Sequence, residues 1–235
     1  MEKKENQLNI NVPTAIIIAG LLVAGAIIFT NTPQNKNTGT TQGAAAANAP
    51  QEINIAPITD KDHFYGNPNA KVVMVEFSDL ECPFCKVFHP TAKKVVDDSK
   101  GQVALVFRHF PIPSLHTKAF KEAEATECAN EQGGNSKFWE YLDVLFATTP
   151  SNNGLDPAEL PKIAVKIGLD ETKFNSCLLS EKYKNRVNAD IEDGSKVGVN
   201  GTPSTVLMNK SGKKILLVGA QPVESVQAAV EEMIK

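Results

Sequence analysis

The Cys82-Pro83-Phe84-Cys85 segment stands between an apolar run and a helical pattern, and this junction constrains the fold more than any other part of the chain. Residues 71–77, Lys-Val-Val-Met-Val-Glu-Phe, are β-branched and almost continuously apolar, as expected of a strand buried on both faces. From Cys82 onward Val87, Phe88, Thr91, Val95 and Val96 recur at helical steps, and Gly101 marks the stop. Cys82 therefore falls at a helix N-terminus, where unpaired N–H groups and the positive end of the helix dipole favour a thiolate over a thiol. A thiolate so placed attacks disulfides or leaves from them, so thiol–disulfide exchange is the chemistry to expect.

A Cys-x-x-Cys is also half of a zinc site, and His89 offers a third ligand. A structural site draws on a second close pair, however. Cys128 and Cys177 stand alone, and His63, His109 and His116 lie at no finger-like spacing, so no metal is expected. Nor does exchange require a histidine base once the nucleophile is a thiolate, or any cofactor. Arg108 and His109 are expected at the end of a second strand, near the face that carries the cysteines. His116 is read as a cap inside a helix start.

The chain has 235 residues and a net charge of -3, with no basic run to meet phosphates. Lys93-Lys94 and Lys213-Lys214 read as solvated faces or turns, so nucleic acid is excluded as a partner. Residues 13–30 hold no charge and reach the lower length for a membrane-spanning helix. A cleaved signal peptide is the alternative, but no small-residue cleavage site follows the apolar core closely, which favours a retained anchor. Lys3 and Lys4 place residues 1–12 in the cytoplasm by the positive-inside rule. Residues 31–57, rich in Asn, Thr, Gln, Gly and Ala, read as a flexible tether. They leave no dimerisation module, so a single-pass, membrane-anchored monomer is expected, with its C-terminal domain outside the bacterial cytoplasm.

Residues 103–107 form a second apolar run, giving a βαβ start. Near the C-terminus, residues 205–208 and 215–218 read as a hairpin joined by Asn209-Lys210-Ser211-Gly212, and residues 223–234 as a closing helix. The stretch between, 114–195, reads as helical throughout. Ser114 and Gly133-Gly134 bracket one helix, and Asn135 or Ser136 opens the next. Asp156-Pro157-Ala158-Glu159 reads as a capping box with proline at the first helical position, Asp170 opens a short helix, and a last one starts near Ser180. The expected class is α/β, a small mixed sheet flanked by helices with a helical insertion.

These residues resemble the DsbA-like branch of the thioredoxin superfamily from about Ile58 to the C-terminus. The resemblance rests on Val75-Glu76-Phe77-Ser78 before the Cys-x-x-Cys, on Arg108-His109-Phe110-Pro111 with His116, on Glu127-Cys128-Ala129, on Phe138-Trp139-Glu140 and on Gly201-Thr202-Pro203-Ser204. It implies a thioredoxin fold over 58–235 with a helical insert at 114–195, and a cis bond between Thr202 and Pro203 facing the cysteines. It also implies that Glu76 is a buried acid exchanging protons with the resolving Cys85; an exposed edge-strand Glu is the alternative. Glu81 is expected to face solvent and to oppose the Cys82 thiolate.

The expected activity is donation of disulfides to reduced or unfolded proteins, with Cys82 and Cys85 as the redox pair. Reoxidation would call on a quinone-linked membrane partner resembling DsbB or a vitamin K epoxide reductase homologue. A reductase or isomerase is the rival within the same chemistry; a redox-silent binding module or metal carrier is the rival outside it. An even cysteine count outside the cytoplasm pairs Cys128 with Cys177 as a structural disulfide, against the alternative of two separate buried thiols.

Overall fold

The computed structural model describes residues 53–235. The expected cytoplasmic segment, the anchor and most of the tether lie outside the described residues. Among the described residues no helix is long and apolar enough to cross a membrane. The described chain begins with β1 (His63–Gly66), β2 (Val72–Ser78), α1 (Pro83–Asp98) and β3 (Val103–His109). Four helices follow: α2 (Ala119–Thr148), α3 (Glu159–Lys166), α4 (Glu171–Leu179) and α5 (Lys184–Val197). Strands β4 (Ser204–Asn209) and β5 (Lys214–Val218) and helix α6 (Val223–Ile234) close the chain.

The five strands form one sheet in the order β1-β3-β2-β4-β5, with β2 and β3 parallel and every other pairing antiparallel. The central place of β2 explains its unbroken apolar run, because both of its faces are covered. Side chains alternate across a strand, so Val72 and Met74 enter the larger core under α1 and α6, while Val75 and Phe77 enter a second core with Ile55, Val106, Phe110 and Val206. Glu76 shares the face of Val72 and Met74. That alternation alone aims a carboxyl toward the helix that carries the cysteines.

Several expectations shift. Strand β1 carries too few residues to show a period, and it pairs with β3 at the sheet edge. Residues 53–57, expected to belong to the tether, are docked on the domain: Ile55 is buried, Ile53 packs beside it, and the Ala56 N–H donates to Asp193 Oδ1. Composition had assigned them to the linker, yet the apolar alternation of Ile53 and Ile55 extends the second core. The two helices expected on either side of Gly133-Gly134 are both present, end to end within α2: Gly133 and Gly134 leave helical geometry between them, and Gly134 adopts φ 67°, a conformation open to glycine without a side-chain penalty. Ser114 lies in turns ahead of α2 and not at its start. Asp156 accepts from the Ala158 N–H and so organises a turn, while α3 itself starts at Glu159. Asp170 does cap α4, accepting from the Lys173 N–H.

Gly194 lets α5 approach the sheet closely. A Cβ there would lie 2.7 Å from a Phe110 ring carbon and 2.9 Å from one of Phe77. Across the insert, Cys128 on α2 is joined to Cys177 on α4 by a disulfide.

Candidate active site

Cys82 is the N-cap of α1, with extended backbone angles, and Pro83 occupies the first helical position. Proline lacks the N–H that would be unpaired there, which suits it to that position. Cys82 is 5% exposed and Cys85, one turn inside the helix, is fully buried; both are free thiols. The Cys82 thiol donates to the Thr202 carbonyl at 3.4 Å, and the peptide bond that follows Thr202 is cis to Pro203. The Asp79 N–H donates to Cys85 Sγ at 3.4 Å.

The two thiols differ sharply in acidity. Cys82 is lowered to about 6, chiefly by the Cys85 thiol; burial opposes this, and the Cys85 N–H, the Thr202 hydroxyl and the Phe84 N–H add to it. These backbone donors belong to the first turn of α1, the group that a helix N-terminus leaves unpaired. Burial pushes Cys85 well above the ordinary thiol value, and the neighbouring Cys82 and Glu76 push it further. One sulfur is therefore an anion at neutral pH and the other holds its proton.

Glu76 lies fully buried on the central strand, and neither carboxyl oxygen has a hydrogen-bond partner. Burial raises it to about 7, with the Ser78 hydroxyl pulling the other way. Thr202 Oγ1 is likewise buried without a partner. As a thiol, Cys82 donates to the Thr202 carbonyl; as a thiolate it can only accept, and the free Thr202 hydroxyl stands ready as a donor.

Glu81 departs from expectation. It is fully buried, its Oε2 accepting from the Asn153 N–H at 2.6 Å and its carbonyl from the Asn152 N–H at 2.8 Å. Its side chain turns into the helical insert, and the influences on Cys82 come from Cys85, Thr202 and Phe84 instead. The loop 151–153, remote in sequence, holds it there. Arg108 and His109 end β3 as expected, but their side chains leave on opposite faces. Arg108 is buried between Asp62 (3.0 Å) and Asp193 (2.5 Å), whereas His109 meets Glu127 at 3.2 Å. Glu127 also meets His63 at 2.9 Å. Burial opposes ionisation of Glu127, but its hydrogen bonds to His109 and His63 win and hold it well below the usual carboxylate range. His89 turns to Asp143 at 2.6 Å.

Sequence reasoning passed over Asp79. It is buried directly after the central strand; its Oδ1 accepts from the Glu81 N–H, and its Oδ2 from the Ile112 N–H and, at 2.9 Å, meets His116 Nδ1. Asp79 thus shapes the approach to Cys82 and ties down the loop after β3. The signal was present: an Asp two residues before Glu81 can close an Asx-turn on that N–H. His116, expected to cap a helix, serves as its partner.

A five-stranded mixed sheet whose central strand leads into a Cys-x-x-Cys at a helix N-terminus, opposite a cis-proline, defines a thioredoxin-fold protein of the DsbA-like type. The family model described as thioredoxin matches residues 58–232, and the chain belongs to that family. Among solved structures the chain is similar to DsbA2 of Pseudomonas aeruginosa, with 31% identity, a TM-score of 0.66, and coverage of 75% of this chain and 97% of that one. BdbD of Bacillus subtilis, in its oxidised form, is 22% identical with a TM-score of 0.62 over 74% of this chain and 92% of that one, a likeness of fold. Curated relatives include a Na(+)/H(+) antiporter NhaA 3 of Salinispora tropica, 33% identical over 73% of this chain. An NhaA 1 of Mycolicibacterium vanbaalenii is 35% identical over 62% of it. The chain spans only 24% and 23% of the length of these two relatives.

Proposed function

We propose that the protein is a thiol–disulfide oxidoreductase that donates disulfides to reduced or unfolded proteins outside the bacterial cytoplasm. The observation that carries the reading is the placement of one Cys-x-x-Cys pair, with Cys82 at the N-cap of α1 against the Thr202 carbonyl and the cis-proline, and Cys85 buried one turn inside; this placement lowers the Cys82 thiol to about 6 and raises that of Cys85. In the forward step a substrate thiolate attacks Cys82 Sγ of the disulfide form, the Cys82–Cys85 bond breaks, and Cys85 leaves as a thiolate. Protonated Glu76, raised to about 7, supplies the proton that Cys85 then holds. A second substrate thiolate attacks the substrate sulfur of the mixed disulfide and expels Cys82 as the thiolate. The substrate is oxidised by two electrons and the enzyme is left as a thiolate and a thiol. A leaving group of low pKa drives transfer in this direction. Phe84 at 64% exposure, with Val87 and Leu115 also exposed, offers apolar surface suited to unfolded segments.

The anchor at 13–30 and a tether would hold the domain at the outer face of the membrane. A quinone-linked membrane oxidase would restore the disulfide, resembling either DsbB or a vitamin K epoxide reductase homologue. The monomeric state belongs to the same proposal. Ion antiport does not, since the match covers about a quarter of the relatives that bear that name.

The test is oxidation of a reduced, unfolded protein by the disulfide form. Wild type should turn over, Cys82→Ser should be inert, and Cys85→Ser should accumulate mixed disulfides at Cys82. Wild-type rates from Cys82→Ser would refute the assignment.

A further inference from the structure

Two groups outside the exchange step converge on Glu81, the residue just before the nucleophile. Glu122, on the first turn of α2, is buried beside Glu81, and Asn153 ties the two elements together: its N–H donates to Glu81 Oε2 and its Oδ1 accepts from the N–H of Lys118, the N-cap of α2. Glu81 Oε1 and Glu122 Oε2 are both enclosed, and neither has a donor. Two carboxylates cannot satisfy each other, because each only accepts, and their like charges repel. A single added proton satisfies both oxygens at once. The second group is the loop 151–153: Ser151, Asn152 and Asn153 have φ of 66°, 53° and 64°, three successive left-handed residues none of which is glycine. Such strain persists only where surrounding contacts over-determine it; here they are the carbonyl and carboxylate of Glu81, the Thr149 hydroxyl, the Leu115 carbonyl and the Lys118 N–H.

We propose that Glu81 and Glu122 share one proton, and that Glu122 is a positioning residue for Cys82, holding the neighbouring carboxylate inside the protein and away from the thiolate. The proposal rests on Cys82 being the exchanging thiolate. The other charged or titratable groups facing the pair are Asp79, which disfavours a second negative charge, Lys118, which favours one, and Tyr141. His116 is bound to Asp79. Burial is the largest influence on Glu122, followed by Glu81, and together they raise it to about 9. Shared protonation keeps the net charge of the pair at minus one through neutral pH, with that charge anchored on the Asn153 N–H and not on the Cys82 side.

Two readouts test this on the protein alone, without substrate. In the disulfide form neither Cys82 nor Cys85 titrates, so the pH dependence of stability against Glu122→Gln isolates Glu122. An acid raised above its unfolded value makes the folded state hold an extra proton, so its contribution is complete below about 4.5 and is lost as pH rises through about 9. Wild type should therefore lose thermal stability relative to Glu122→Gln as pH is raised from about 5 to about 9, the amide donating in place of the proton at every pH. Parallel profiles would overturn the shared proton. In the reduced form, ultraviolet thiolate titration of Glu122→Leu should place the Cys82 midpoint above the wild-type value of about 6. Glu122→Gln should restore it, as should Glu81→Gln combined with Glu122→Leu. An unchanged midpoint in a folded Glu122→Leu would overturn the positioning role, and if that variant does not fold, the Glu122→Gln profile still decides the shared proton. Absence of turnover with both results intact would count against disulfide donation and not against the pair.

Discussion

Thr202→Val tests the electrostatics of the site at a single atom. In the reduced protein the Cys82 thiol donates to the Thr202 carbonyl, and Thr202 Oγ1 is buried without a partner. When the sulfur loses its proton that donation ends, and the hydroxyl becomes a donor to the anion. A hydrogen bond to a charged group contributes about 1.5–3 kcal/mol, and a pKa unit corresponds to about 1.4 kcal/mol. Valine should therefore raise the Cys82 midpoint from about 6 by about 1 to 2 units. At neutral pH most of that loss falls on the reduced form, and since 30 mV corresponds to about 1.4 kcal/mol, the pair should become more reducing by roughly 30 mV. The assay is the ultraviolet absorbance of the thiolate followed across pH, in which Cys82 gives the first wave because Cys85 titrates far higher. Cys85→Ala provides the scale: its thiol is the leading cause of the low value, so its removal should shift the midpoint more than valine does. A Thr202→Val midpoint equal to that of wild type would refute the reasoning, and so would a larger effect from Thr202 than from Cys85.

Glu76→Gln should leave the reduced protein's stability unchanged near pH 4 and raise it near pH 8 by up to about 3 kcal/mol in urea denaturation. The reason is that burial lifts the acid from 4.5 to about 7, so the wild-type folded state loses stability as pH rises through that window; identical profiles would contradict it. Replacing both Cys128 and Cys177 with alanine should cost about 4 kcal/mol on the chain-entropy model for a separation of 49 residues, read as a lower denaturation midpoint. An unchanged midpoint would show that the bond adds nothing. Gly194→Ala should cost about 1–3 kcal/mol, because its Cβ would meet the Phe110 and Phe77 rings at less than 3 Å. A melting temperature equal to that of wild type would mean that α5 moves off the sheet freely.

What the sequence disclosed follows the range over which each signal acts. The central strand, the helix start at Cys82, the C-terminal hairpin and α6 are written in local periodicity, and the structure has them within about two residues of the expected ends. Glu76 was legible because the resemblance assigns a buried acid to that position and a strand apolar on both faces is seldom an edge. Glu81 was not legible. Its burial depends on Glu122 and Asn153, distant in sequence, and nothing beside Cys82 announces them. The ion pairs of Arg108 with Asp62 and Asp193 are long-range in the same way, joining β3 to the segment before β1 and to α5. Strand β1 was missed for want of length, and Ile53 and Ile55 because a compositional boundary was drawn where two alternating isoleucines continued the core.

The central claim is that Cys82 and Cys85 form a disulfide poised to be given away. Equilibration of the pair against glutathione tests it most directly. A Cys82 pKa of about 6 lies between those of the strongest oxidant of this kind and of thioredoxin, about 3.5 and about 7. The account therefore predicts a potential between about -120 and about -270 mV. A value below about -300 mV, the range of inert structural disulfides, would contradict the account, because a bond that stable in the enzyme would not pass to a substrate.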